Sequence, residues 1–130
     1  MAGLSNYAED LVLDWLFTAA SATRPTTWYV ALYTVAPGEG GGGTEVSGGS
    51  YVRQSVSFTV SGTAPTQAAN SAAVEFPTAT ASWGTVVAAA IYDASTSGNM
   101  LAFANLTTSK AIDSGDVLRF NTSTLVVTLD

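Results

Sequence analysis

The sequence predicts a mainly β chain: an antiparallel β-sandwich, jelly-roll-like, with one amphipathic helix at its N-terminal end. Three observations predict it. Helix-period spacing of apolar residues occurs once, near the N-terminus. Beyond Arg24 the apolar residues alternate over short runs with the two-residue period of strands. Those runs are divided by Gly-, Asp-, Asn- and Ser-bearing turn signals, and seven or eight short strands so spaced suit a sandwich. The 130 residues fit a single domain, 1–130.

The helix is placed at about residues 5–19. Leu4, Ala8, Leu11, Val12, Trp15, Leu16 and Ala19 fall on one face at three-four spacing. Asn6 with Glu9 three residues on reads as a capping box, and Glu9 and Asp10 suit the positive end of the helix dipole. Leu13 and Phe17 lie off the main stripe, so the helix is apolar on more than one side. It lies across its own sheet, or is wedged between that sheet and a neighbouring subunit. Leu11 and Trp15 are its expected anchors.

Strands follow at Trp28–Val35, Val52–Val60, Ala72–Phe76, Thr85–Asp93, Met100–Leu106, Val117–Asn121 and Thr124–Leu129. Asp93 to Asn99 reads as a hairpin loop, and Asp113-Ser114-Gly115-Asp116 as a turn. Residues 36–50 hold Gly40, Gly41, Gly42 and four further glycines, and read as a long flexible loop or an arm that orders on a neighbour. Trp83 is expected as a buried latch where the Pro77–Ser82 crossing enters its strand. Gly84 beside it is expected to need its missing Cβ.

Composition narrows the function. Only 11% of residues are charged, against 47% hydrophobic, which suits a protein that buries several faces in an assembly. Net charge is −6 and the cations are Arg24, Arg53, Lys110 and Arg119, which disfavours nucleic acid and anionic membrane as partners. With no cysteine and no histidine, the usual transition-metal ligands and the Ser-His-Asp arrangement are both missing.

Four further patterns have simpler readings. Gly38-Glu39-Gly40-Gly41-Gly42-Gly43 matches a dinucleotide fingerprint in letters, but strands flank it and Glu39 repels phosphate, so no cofactor is expected. Glu75 and Asp93 could converge as a carboxylate pair but read as solvated strand-end charges. Asp93, Asp113 and Asp116 could offer oxygen ligands to calcium but read more simply as turn residues, so no metal is expected. Trp28, Tyr51, Trp83 and Tyr92 could form a sugar-stacking platform; core packing is the simpler reading.

The run Phe76-Pro77-Thr78-Ala79-Thr80-Ala81-Ser82-Trp83-Gly84-Thr85-Val86, followed by Ile91-Tyr92-Asp93-Ala94, resembles a family of small tailed-phage virion proteins. The opening Met1 to Glu9, the segments Trp28–Thr34 and Gly43–Gln54, and Ser114–Asp116 with Leu125–Asp130 are similar too. Members are labelled tail-fibre-like, and some are trimeric capsid decoration (cement) proteins. The resemblance implies a non-enzymatic structural protein, with no catalytic residues, that sits on the outer capsid surface as a homotrimer and clamps the major capsid protein. The alternative it implies is a tail-fibre or tailspike component that recognises a host-surface glycan, with contacts at loop tips such as Ser95–Asn99. Interface and structural candidates are Leu11, Trp15 and Phe17 on the helix, Gly40, Gly41 and Gly42 in the arm, and Tyr51, Trp83 and Gly84.

Overall fold

A computed structural model describes residues 3–129; Met1, Ala2 and Asp130, which share in the resemblance, lie outside the described residues. The fold is mainly β, all strand pairs are antiparallel, and the one helix lies near the N-terminus.

The larger layer is a six-stranded sheet. Its spine is β2 (Tyr29–Val35), β8 (Gly84–Tyr92) and β9 (Met100–Ile112). The short strands β1 (Gly3–Leu4), β3 (Thr44–Glu45) and β4 (Gln54–Ser55) pair along its two edges, β1 on β9 and the others on β2. The second layer has two parts. One is β5 (Phe58–Ser61), β6 (Thr66–Asn70) and β11 (Val126–Leu129), with β6 in the middle. The other pairs β7 (Val74–Glu75) with β10 (Arg119–Phe120).

The core lies between these layers. Val30, Leu32, Ala89, Ile91 and Ala102 from the large sheet meet Val56, Val74, Phe76, Trp83 and Leu118. Alternation along β2 and β8 puts Ala31, Tyr33, Ala88 and Ala90 on the opposite face, where they form a second buried cluster with Met100.

Several elements differ from the sequence expectation, each for a local reason. The helix, α1 (Asn6–Phe17), is capped by Ser5: its Oγ accepts from the Ala8 N–H at 3.2 Å, so the Asn6/Glu9 capping box is not the device used. Ser5 also donates from Oγ to the Met100 carbonyl and from its backbone N–H to Leu101 at 3.0 Å, which ties the helix start to β9. The expected strand Val52–Val60 is split. Its first part pairs with β2; Val56 donates to the Trp28 carbonyl at 3.0 Å, and the chain then crosses to pair with β6. β6 itself escapes sequence detection because Thr66-Gln67-Ala68-Ala69-Asn70 has no large apolar residue to alternate. β9 runs on to Ile112, past the expected end at Leu106. Its partners jump from Asn105↔Ala88 to Lys110↔Val86, so Leu106–Ser109 bulges out and interrupts the apolar alternation.

The glycine-rich segment is more built than a free loop. Gly38 and Gly41 exchange backbone hydrogen bonds at 2.9 and 3.0 Å, and Thr44–Glu45 pairs with β2.

Candidate functional site

The carboxylates singled out as possible catalysts or ligands are each engaged locally. Glu75 makes an exposed ion pair with Arg119 at 3.4 Å. Asp93 accepts from the backbone and side-chain nitrogens of Asn99 at 2.7 and 3.0 Å, closing the β8–β9 hairpin. The Asp116 carboxylate accepts from the Asp113 N–H at 2.9 Å, and the Asp116 N–H donates back to the Asp113 carbonyl at 3.0 Å, closing a β-turn. Among the described residues, no group of three or more Asp or Glu side chains is placed to hold a metal ion.

The aromatic residues build a core. Trp83 is buried, and its indole N–H donates to the Gly49 carbonyl at 2.9 Å. Tyr51 packs edge-on to Trp83 at 5.5 Å and stacks with Phe76 at 6.0 Å, and Phe120 closes the cluster at 6.4 Å from Phe76. Trp83 and Tyr51 therefore present no open platform to a sugar; Trp28 is half-buried against the same core. Gly84 has φ +80°, a left-handed conformation that disfavours side chains. Gly49 is tighter still: its φ is +56°, and a Cβ there would lie 2.9 Å from Trp83 Nε1 and 3.0 Å from the Ala81 carbonyl oxygen.

A polar network at the β2 edge is invisible in the sequence. Arg53 grips Glu45 in two places, Nε at 2.9 Å and Nη2 at 2.8 Å, and its Nη1 donates to the carbonyls of Ala94 and Ser97. Its guanidinium lies 3.8 Å above the Tyr92 ring centre. The Tyr51 hydroxyl donates to Glu45 at 2.7 Å and accepts from the Leu32 N–H at 3.0 Å, and Tyr33 and Tyr92 share a hydroxyl hydrogen bond. Burial alone would raise the Glu45 pKa, but the Arg53 and Tyr51 hydrogen bonds outweigh it and hold the carboxyl below its ordinary range. Burial, and then the bond to Glu45, pushes the Tyr51 phenol upward, so it stays a donor. This network fixes the Gly-rich segment, β4 and the 93–99 hairpin to one another.

The remaining features are surfaces. The N-terminal half of α1 packs on β9 and β1, with Ala8 buried and Leu11 and Val12 half-buried. Trp15 continues that face at helical spacing but is 70% exposed, because the helix runs on past its support. Leu13, Leu16 and Phe17 are exposed as well, Phe17 at 76%. The helix end is thus an apolar projection, and the expected anchoring of the helix to the sheet through Trp15 is not found. Gly40, Gly41 and Gly42 lie beside the start of α1: the Asn6 N–H donates to the Glu39 carbonyl at 2.9 Å. There Asn6, Tyr7, Glu39, Tyr92 and Asn99 line a shallow polar cleft of about 420 Å³.

A larger cleft of about 530 Å³ opens between the two layers where β9 bulges. Small residues of the large sheet, Ala89, Ala102 and Ala104, face Phe58, Phe120 and Val127 across it and leave the gap unfilled. Lys110 and Arg119 line it and no carboxylate does.

Two comparisons with known proteins bear on this arrangement. No curated protein matches the chain. A family model described as "Podophage GP4 fiber I protein gp80" matches residues 3–128, nearly the whole length.

Proposed function

The chain belongs to the podophage GP4 fiber I protein gp80 family, a family of phage virion components, and from that premise we propose that it is a fibre subunit that works by assembly. Its task is structural: to associate with itself as a homotrimer and to join the virion through apolar surface, without chemistry. The observation that carries this reading is the apolar end of α1, where Leu13, Trp15, Leu16 and Phe17 project into solvent. Large exposed apolar patches mark association sites. Low charge, at 11% of residues, supports the same reading. The polar cleft at Tyr7, Glu39 and Asn99 is where a host-surface glycan would be met if the fibre reads its receptor directly.

Copy number and deletion test the fibre reading against capsid decoration. A fibre subunit is present in a few to a few dozen copies, and particles lacking it are physically sound but fail at adsorption. Hundreds of copies per head, with deletion particles that adsorb normally and rupture on heating, would establish shell decoration instead, since a protein that clamps folded capsid stabilises it by mass action.

A further inference from the structure

We infer that the apolar end of α1 from one copy seats in the 530 Å³ cleft between the layers of the next copy, a head-to-tail contact that builds the assembly. The inference rests on the self-assembly proposed above and specifies its geometry. Two unpartnered surfaces on the same chain match in three respects.

The first is shape. One surface is a projection and the other is a recess. A cavity of about 150 Å³ accommodates a benzene-sized group, so a 530 Å³ cleft takes roughly three large side chains. Leu13 and Phe17, one turn apart, with Leu16 beside them, present that number.

The second is chemistry. The cleft walls are Ala104, Leu106, Phe120 and Val127, and the side chains that enter it are Leu13, Leu16 and Phe17.

The third is charge. α1 carries Glu9, Asp10 and Asp14 and no cation. The cleft is lined by Lys110 and Arg119 and no acid, in a chain with ten acids and only four cations. Asp10 shares a helix face with Leu13 and Phe17 at three- and seven-residue spacing, so it arrives at the cleft with them. Lys110 makes no ion pair among the described residues and is free to receive it. Two copies of α1 packed on each other would instead bring together six carboxylates with no cation between them, which disfavours a symmetric helix-to-helix contact.

A contact between different patches is heterologous. It closes into a ring when the rotation allows and otherwise continues as a filament; three copies at 120° close the homotrimer.

Complementation tests this. One variant lacks the projection (Leu13→Ser with Phe17→Ser); the other has an acidic cleft (Thr107→Glu with Lys110→Glu). All four positions are exposed, so the fold is preserved, as circular dichroism will report. Mass in solution is then measured for each variant alone and for the equimolar mixture at roughly 1 mM, a concentration at which a single contact without ring closure is populated. Each alone should be monomeric. The mixture should give a heterodimer with one copy of each, because one intact projection and one intact cleft remain and no ring can close. If the projection-less variant still assembles, or the acidic-cleft variant does, or the mixture stays monomeric, the contact is wrong. If the unaltered chain assembles while the contact fails, self-assembly stands; if the unaltered chain is itself monomeric, both fall.

A second measurement does not depend on those variants. The chain has no cysteine, so Phe17→Cys in one preparation and Thr107→Cys in another are the only thiols present. A short thiol cross-linker should join the mixed pair at least tenfold more than either preparation alone. Equal yields would overturn the contact.

Discussion

Trp83 and its surroundings show how single residues set the fold. The indole is legible in the sequence as a latch, because a crossing that opens with Pro77 leads into Trp-Gly and then a long apolar strand. Its partner is not legible. Gly49 lies in a glycine-rich stretch that reads as flexible, yet its carbonyl accepts the indole N–H and its missing Cβ makes room for the ring. Gly42 is also left-handed, with φ +79°, but a Cβ there would meet no atom within 4 Å. Both Gly→Ala changes therefore incur the left-handed backbone cost, and only Gly49→Ala adds a collision. Gly49→Ala should lower the melting temperature by several degrees more than Gly42→Ala, at roughly 2–8 °C per kcal/mol. Equal melts would show that Trp83 yields without loss.

The Glu45–Arg53 pair makes a second prediction at this scale. Arg53 is 8% exposed and Glu45 25%, so breaking the pair leaves a half-buried charge. Arg53→Leu should cost about 2–3 kcal/mol, below the roughly 3–5 of a fully buried pair. The Glu45 pKa is depressed in the folded state. Its stabilisation is therefore full above the ordinary carboxylate pKa and is lost as pH falls through the depressed value. Glu45→Gln should remove that part of the acid sensitivity, which denaturant midpoints measured down to about pH 3 will show; an unchanged acid limb would mean the pair is not linked to folding. Sequence alone hides this network because residues 45, 51, 53 and 92 converge only once β2, β3 and the hairpin are in place.

Elements are legible in proportion to their apolar periodicity. β2 and β8 follow their expectations closely because their burial alternates or runs unbroken. β6 and the far half of β9 escape because they are polar or small and are held by pairing, not by their own pattern. The helix falls within two residues of its expected bounds, but its support does not follow from spacing, which marks a face and cannot say how far the sheet beneath extends. Trp15→Ala consequently should leave folding nearly unchanged, with a melting shift under about 2 °C, in place of the roughly 3–5 kcal/mol that a buried indole would cost. Phe17→Ala, also at an exposed position, should spare folding in the same way but weaken assembly by tenfold or more. A large folding defect with intact assembly would reverse these roles.

At the scale of the whole molecule, assembly has to overcome the entropy of association. Burying each large apolar side chain contributes about 1.5–3 kcal/mol, against roughly 4–15 kcal/mol of lost translational and rotational freedom for each association. A single helix end in a single cleft is therefore marginal. A closed ring of three gains three contacts for two associations, so the unaltered chain at micromolar concentration should favour a trimer with little dimer. Self-assembly through apolar surface is the central claim made for this chain. Native mass of the unaltered chain at micromolar concentration tests it most directly, in physiological salt and again near 1 M, where the Debye length is about 3 Å and exposed ion pairs are screened. A homotrimer is expected in both. A compact monomer in physiological salt would contradict the claim.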